Sequence, residues 1–199
     1  PQLSILLQAP FNLHLTLMSK LEVYSELARA GKSARVIARM NSLSEPAIIQ
    51  ALYDASQAGV SIDLIVRGIC CLQPGVPGMS DSIRVRSIVG RFLEHTRAYY
   101  FATDEEDTMY IASADWRPRN FFHRVEVAFP ILDPALRRRA VEETLLRYLE
   151  DTSQAWVLQR DGSYTRPSPT TPERVCSAQS LLLEKLARPI PRGYAGPSI

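Results

Sequence analysis

The sequence predicts an α/β domain in which helical crossovers join the strands of a sheet. Strand-like and helix-like stretches alternate in the order strand, helix, strand, helix, strand within about the first 66 residues. Further strand-like runs lie between residues 83 and 130, ahead of a long helical stretch. At 199 residues and 46% apolar content, the chain can bury one substantial core, with or without a small appendage.

Taken in order, Ser4 to Gln8 is a short strand that Pro10 breaks. From Leu13 to Ala30, Leu17, Leu21, Tyr24 and Ala28 recur at helical spacing, with Asn12 to cap the start and Gly31 to supply a left-handed stop. Residues 35–40, RVIARM, read as a strand. Ser44, with Pro46 just inside, opens a second helix through Ile49, Leu52, Tyr53 and Ser56, which Gly59 ends. Val60 to Val66 is β-branched and extended. Arg67 follows its carboxyl end directly, the edge at which ligands of such sheets tend to bind. Residues 68–82 form a long loop, because Pro74, Gly75, Pro77 and Gly78 deny it a regular element.

Ile83 to Val89 is the next strand. Ala98 to Thr103 and Thr108 to Ala114 form a pair around Asp104-Glu-Glu-Asp107, an acidic tip that belongs in water. Arg124 to Pro130 alternates as another strand. Asp133 caps a long helix with Pro134 in its first turn and Ala140, Leu145, Leu146 and Leu149 on its apolar side; Arg137-Arg-Arg139 is expected on its solvated face. Trp156 to Leu158 reads as an edge strand, Asp161-Gly162 as a hairpin turn, Thr165 to Pro172 as loop, and Ala178 to Ala187 as a short amphipathic helix. The expected domain is 1–187, and the proline-bearing end, 188–199, is expected to be disordered.

The formal charge is +2, but the cations are 20 arginines against 3 lysines. Arginine is the better fork for carboxylate or phosphate oxygens, although coding bias accounts for such a composition equally well. Cys70, Cys71 and Cys176 make an odd count without a Cys-x-x-Cys pair, which points to a reduced, cytoplasmic setting. No apolar run approaches the roughly 18 residues of a membrane span, and no basic-then-apolar export signal opens the chain. A start at Pro1 suits a fragment of something longer.

His14, His95 and His123 show none of the close pairings of common zinc motifs, and no P-loop or Gly-x-Gly-x-x-Gly fingerprint is present. Phosphate handling would therefore fall to side chains. His95-Thr-Arg97 enters the strand Ala98 to Phe101; a strand beginning at the histidine would place His95 and Arg97 on one side, about 6–7 Å apart. The partner strand delivers Ser113 and Asp115 near the same end, and Arg67 closes another strand there. Such a cluster suits phosphate chemistry: a neutral imidazole attacks phosphorus, whereas a protonated one binds an oxygen, and the sequence leaves both open. A strand-edge histidine satisfied by Glu94 or Asp115 is the competing reading. Arg117, Arg119 and Arg124 follow the Ala114-Asp-Trp116 corner, and at least one of them is expected to face His95. Asn41-Ser42 is expected to cap locally, and Trp116 to pack.

The runs IVRGICCL, RSIVGRFLEH and SADW, within a resemblance covering roughly residues 3–187, are similar to the last domain of polyphosphate kinase, the family that elongates inorganic polyphosphate from ATP and can run in reverse. The resemblance implies a phospholipase D-like mixed β-sheet flanked by helices. It implies a phosphohistidine on a preceding domain, absent from these residues, with His95 and Arg67 as contacts for ATP or polyphosphate and His95 assisting transfer. Arg97 joins them, and Ser113, Asp115, Arg117 and Arg119 are supporting candidates. Magnesium would arrive with ATP, with no metal ligand assigned in this chain. The implied partners are ATP or ADP, polyphosphate and the preceding domain, with no nucleic acid and no transmembrane segment; homo-oligomerisation and peripheral association with the inner membrane are compatible with it.

The chain departs from the family at the acidic tip, at Ala112 and at Phe121-Phe122, the last leaving the local corner geometry open. A phospholipase D-type hydrolase or nuclease is a further reading, but Arg97 stands where that pattern has lysine and Ala102 where it has aspartate. A non-catalytic polyanion-binding module is another.

Overall fold

The structure, a computed structural model, describes residues 5–167 and 175–187. The expected disordered end at 188–199 lies outside the described residues, as do residues 168–172 of the expected loop. Among the described residues nine strands form one sheet. They are β1 (Leu7–Ala9), β2 (Ala34–Met40), β3 (Ser61–Val66), β4 (Ile83–Ile88), β5 (Ala98–Thr103), β6 (Asp107–Ala112), β7 (Glu126–Pro130), β8 (Ala155–Leu158) and β9 (Tyr164–Thr165), ordered β1-β7-β6-β5-β2-β3-β4-β8-β9. β2, β3 and β4 run parallel and every other pairing is antiparallel.

Two layers of helix cover the sheet. α1 (Leu13–Arg29) and α2 (Pro46–Gln57) are the crossovers between the first strands. Their Leu13, Leu17, Leu21, Ile48 and Leu52 pack against Val36, Ala38, Ile62, Leu64 and Tyr99. On the opposite face, α4 (Pro134–Val141) runs through a π-helical turn (Glu142–Leu146) into α5 (Arg147–Leu149), joined by α6 (Ala178–Leu186). Val141, Leu145, Tyr148 and Ala178 there meet Ile37, Ile65, Ala98 and Met109. Both faces of β2 are thus buried, so the strand reads as nearly continuous apolar sequence. The exceptions are Arg35, half-buried near the start of the strand, and Arg39, which points to the second layer.

Several boundaries differ from the sequence reading, for local reasons. β1 covers only Leu7–Ala9, the residues that pair with β7, the expected start at Ser4 lying outside the described residues, and Asn12 accepts the Gln8 N–H through its side chain instead of capping α1. Glu45, not Ser44, caps α2, its carboxylate taking the Ile48 N–H at 2.6 Å. Asp133 does cap α4, and Gly31 and Gly59 do adopt positive φ. β8 is not an edge, since β9 pairs with it across the Asp161-Gly162 turn. The corner after Trp116 contains a short helix, α3 (Pro118–Phe122). Two of the three arginines expected on the solvated face of α4 are paired: Arg137 reaches Asp107 of the hairpin at 2.7 Å and Arg139 reaches Glu143 at 3.1 Å.

One end of this sheet gathers the candidate residues. The carboxyl ends of β2, β3 and β4, the entry to β5 and the exit of β6 all lie there, because Met40 is in register with Val66, Arg39 with Ala98, and Ala98 with Ile111.

Candidate functional site

β5 begins at Ala98, not at His95, so strand alternation does not set the relation between His95 and Arg97. Residues 91–96 make no backbone-to-backbone hydrogen bond among the described residues. Side chains hold the segment instead.

Arg67 leaves β3 with its N–H on the Met40 carbonyl, and its Nη1 donates to the Glu94 carbonyl at 2.7 Å. Ser87 fixes the residue from the other side by donating to its carbonyl at 2.8 Å. The guanidinium is half-buried and lies against the peptide group immediately before His95. His95 itself is exposed, and its ring has no hydrogen-bond or ion-pair partner among the described residues. Neither Glu94 nor Asp115 satisfies it, because both carboxylates are engaged elsewhere.

Asp115 is buried and receives Arg97 through Nε at 3.0 Å and Nη2 at 3.3 Å. It also accepts the Asn41 N–H at 2.8 Å, tying the exit of β2 to the entry of β5. The third arm of Arg97, Nη1, donates to the His95 carbonyl at 3.0 Å. The positive charge of Arg97 is therefore largely compensated at its source.

Glu94 is clamped from the helical side of the sheet. Its carboxylate meets Arg39 Nη2 at 3.0 Å, accepts from Gln179 Nε2 at 2.9 Å and accepts the Tyr148 hydroxyl. Arg39 is 6% exposed, lies 3.5 Å from the centre of the Tyr148 ring, and donates to the Thr144 carbonyl. Burial, opposed by the Arg39 guanidinium and reinforced by the Glu94 carboxylate, pushes the Tyr148 hydroxyl up to about 12, so it remains a donor at neutral pH. The Gln179 amide grips Phe92 at both its N–H and its carbonyl. None of these four residues was singled out from sequence as part of the site. The signal available was Arg39 itself, a cation near the carboxyl end of a largely apolar strand, which requires a buried acceptor.

The other candidates divide. Ser113 Oγ donates to Glu126 and accepts the Val127 N–H at 3.1 Å, while Asn120 also donates to Glu126 at 2.6 Å. Ser113 thus belongs to the β6–β7 side and makes no bond to His95. The side chains of Arg117 and Arg119, before and within α3, have no hydrogen-bond or ion-pair partner among the described residues. Their corner is anchored by Trp116, fully buried, whose carbonyl accepts from Ser44 and Glu45. Trp116 is packing, as expected. His14 lies apart, against Phe121, Phe122 and Glu45. Burial raises the Cys70 thiol to about 11, so it is not an activated nucleophile.

A narrow cleft between the ends of β2 and β3 is lined by Asn41, Arg67, Glu94 and Thr96 among others. The Asn41 side-chain amide nitrogen is buried there without a partner. Gly68, next to Arg67, gives its N–H to the Asn41 carbonyl at 2.8 Å, and a Cβ there would stand 3.1 Å from that oxygen. No group of three or more His, Cys, Asp or Glu among the described residues is placed to hold a metal ion. The carboxylates of this end, Glu94, Asp115 and Glu126, are each occupied by donors of the protein, so they do not make a magnesium site. No helix among the described residues is long and apolar enough to cross a membrane.

A family model described as polyphosphate kinase C-terminal domain 2 matches residues 6–179. Similar relatives are the polyphosphate kinases of Xylella fastidiosa strain Temecula1, 52% identical over 93% of this chain, and of Paraburkholderia phytofirmans, 54% identical over 89%. The chain spans 26% of the length of each. Among solved structures, polyphosphate kinase from Porphyromonas gingivalis superposes with a TM-score of 0.88 at 37% identity, covering 93% of this chain and 28% of that one. The chain belongs to the polyphosphate kinase family and corresponds to its C-terminal domain.

Proposed function

We propose that the chain is one catalytic part of an ATP–polyphosphate phosphotransferase, which reversibly passes the terminal phosphate of ATP to inorganic polyphosphate through a phosphohistidine in a preceding domain. In this reading Arg67 and His95 bind the phosphates of the nucleotide or the polymer, and His95 assists the transfer. The observation that carries it is the division of cations at the carboxyl end of the sheet. Arg39 and Arg97 are each neutralised by a carboxylate, whereas Arg67 has donors to spare and holds the carbonyl of the residue before His95, whose ring nitrogens have no partner among the described residues.

Phosphoryl transfer asks for this arrangement. The transition state spreads charge over phosphoryl oxygens, and fixed cations that need not reorganise stabilise it most. Arg67 is fixed by its bond to Glu94, so its remaining donors are preoriented. Arg97 retains donors on Nη1 and Nη2, but its main contribution in this reading is to hold His95. Arg117 and Arg119, unpaired and on the neighbouring corner, suit a weaker, extended contact with a polymeric anion. Magnesium would enter with the phosphates. A domain working on ATP is placed in the cytoplasm, where that substrate is.

The test uses the full-length polypeptide with labelled ATP and polyphosphate. His95→Ala is expected to lower kcat by about a hundredfold or more. Arg67→Ala should lower kcat/KM by about ten- to a hundredfold, the loss of one charge-assisted contact. Wild-type rates in both variants would reject the assignment. Turnover of a phosphodiester that disappears in His95→Ala would instead favour a hydrolase.

A further inference from the structure

We propose that Glu94 is the positioning residue of this site: its carboxylate fixes the segment carrying His95 and acts on transfer through that histidine, without touching substrate. The inference rests on the reading of His95 given above and extends it to residues with no assigned role.

Two peptide groups flank the His95 Cα. The first carries the Glu94 carbonyl, held by Arg67 at 2.7 Å; the second carries the His95 carbonyl, held by Arg97 at 3.0 Å. When both planes are fixed, φ and ψ of His95 are fixed, and with them the direction of its Cα–Cβ bond. Only side-chain torsions remain free. Neither arginine can hold its carbonyl unless the segment stays where it is, and no backbone ladder keeps it there. The tie that bears on residue 94 itself is the Glu94 carboxylate, received by Arg39, Tyr148 and Gln179.

That arrangement is costly for a loop with no other duty. Arg39 is withdrawn from water in the middle of an apolar face, and a buried ion pair of this kind often contributes no net stability compared with a well-packed apolar replacement. The apolar contacts of Ile37, Ile65, Leu145 and Ala178 already join sheet and helices without it. What the pair adds is a defined position for residues 92–95. A displacement of about 1 Å at a reacting group can cost about a hundredfold in rate, so such definition matters at the histidine more than for the fold.

The experiment compares Glu94→Gln, His95→Ala and the double variant in the full-length polypeptide. Glu94→Gln keeps the side-chain length but removes the charge that Arg39 needs. Its kcat is expected to fall about ten- to a hundredfold, with KM for ATP changing by less than about threefold. In the His95→Ala background the same substitution should lower kcat by no more than about twofold, the part that reaches Arg67 through the Glu94 carbonyl, because its main action is through His95. Additive losses, a changed KM at unchanged kcat, or an unaffected rate would each overturn the proposal. An inactive His95→Ala beside a fully active Glu94→Gln would leave the reading of His95 standing and remove only this one; an active His95→Ala would remove both. Should Glu94→Gln fail to fold, Tyr148→Phe carries the test. It deletes one donor to Glu94 while keeping the ring under Arg39, and a severalfold fall in kcat that is largely lost in the His95→Ala background is expected.

Discussion

Arg39 and Arg67 lie at the ends of adjacent parallel strands, and their surroundings give the same side chain opposite tasks. Arg39 is 6% exposed and paired with a carboxylate; Arg67 is half-buried and donates to a carbonyl, which leaves its charge uncompensated. Removing the Arg39 guanidinium costs about 3 kcal/mol, because it leaves the partly buried Glu94 carboxylate without its counter-charge, though Tyr148 and Gln179 still donate to it. Arg39→Ala should therefore lower the urea unfolding free energy by about that amount, and Arg67→Ala by less than about 1 kcal/mol. Equal losses would mean that Arg67 is held for stability. At this scale the sequence was informative about Arg67 and His95, which stand out as polar residues bounding apolar runs. It offered Glu94 only as a partner for the His95 ring, because a glutamate in RFLEH looks like any solvated acid until Arg39, 55 residues earlier, is known to face it.

At the scale of elements, the segment between β4 and β5 shows where local pattern stops being enough. His95-Thr-Arg97 continues the alternation of β5, yet it is not a strand, because the neighbouring β2 turns away at Asn41 to give its N–H to Asp115. A strand needs a partner as well as a pattern. The segment leaves β4 through Gly90, where a Cβ would overlap the side-chain oxygens of Gln154 and Gln179. Those oxygens belong to flexible side chains, but that of Gln179 is committed to the Phe92 N–H. Gly90→Ala is accordingly expected to break the Gln179 grip on Phe92 and to cost about 1–3 kcal/mol, the range for overpacking a filled site. Amide hydrogen exchange at Phe92 would rise well above that of β2 or β3. If protection at Phe92 were unchanged, the glycine would not be required for that close approach. Helix boundaries fared better than this segment, since Asp133, Pro134, Gly31 and Gly59 act through bonds and torsions within a few residues of themselves.

Across the whole molecule, the strands were largely visible and their order was not. Alternation and β-branched composition mark β2, β3 and β5 from within, whereas placing β5 beside β2 and β7 beside β1 depends on contacts between residues far apart in the chain. One such contact makes a global prediction. At the end of the sheet opposite the site, buried Asp63 in β3 accepts Arg35 of β2 at 2.9 Å and Arg84 of β4 at 2.8 Å, stapling the three parallel strands. Burial alone would raise its pKa, but the hydrogen bonds and charges of Arg84 and Arg35 outweigh that and hold the carboxyl below its ordinary value. A carboxylate with a depressed folded pKa adds stability that is fully present above its unfolded pKa, near 4, and is lost as the pH falls through the lower folded value. Asp63→Asn should lower stability at pH 7 by about 1–2 kcal/mol, a moderate figure because both arginines are partly exposed to water. The difference between wild type and variant should then shrink below about pH 4, as the wild-type carboxyl takes up its proton. Urea unfolding of both proteins from pH 7 to pH 2 measures this directly. A gap that stayed constant across the acid range would show that the staple works by shape and hydrogen bonding alone, and that the arginines do not depress the carboxyl in the folded chain.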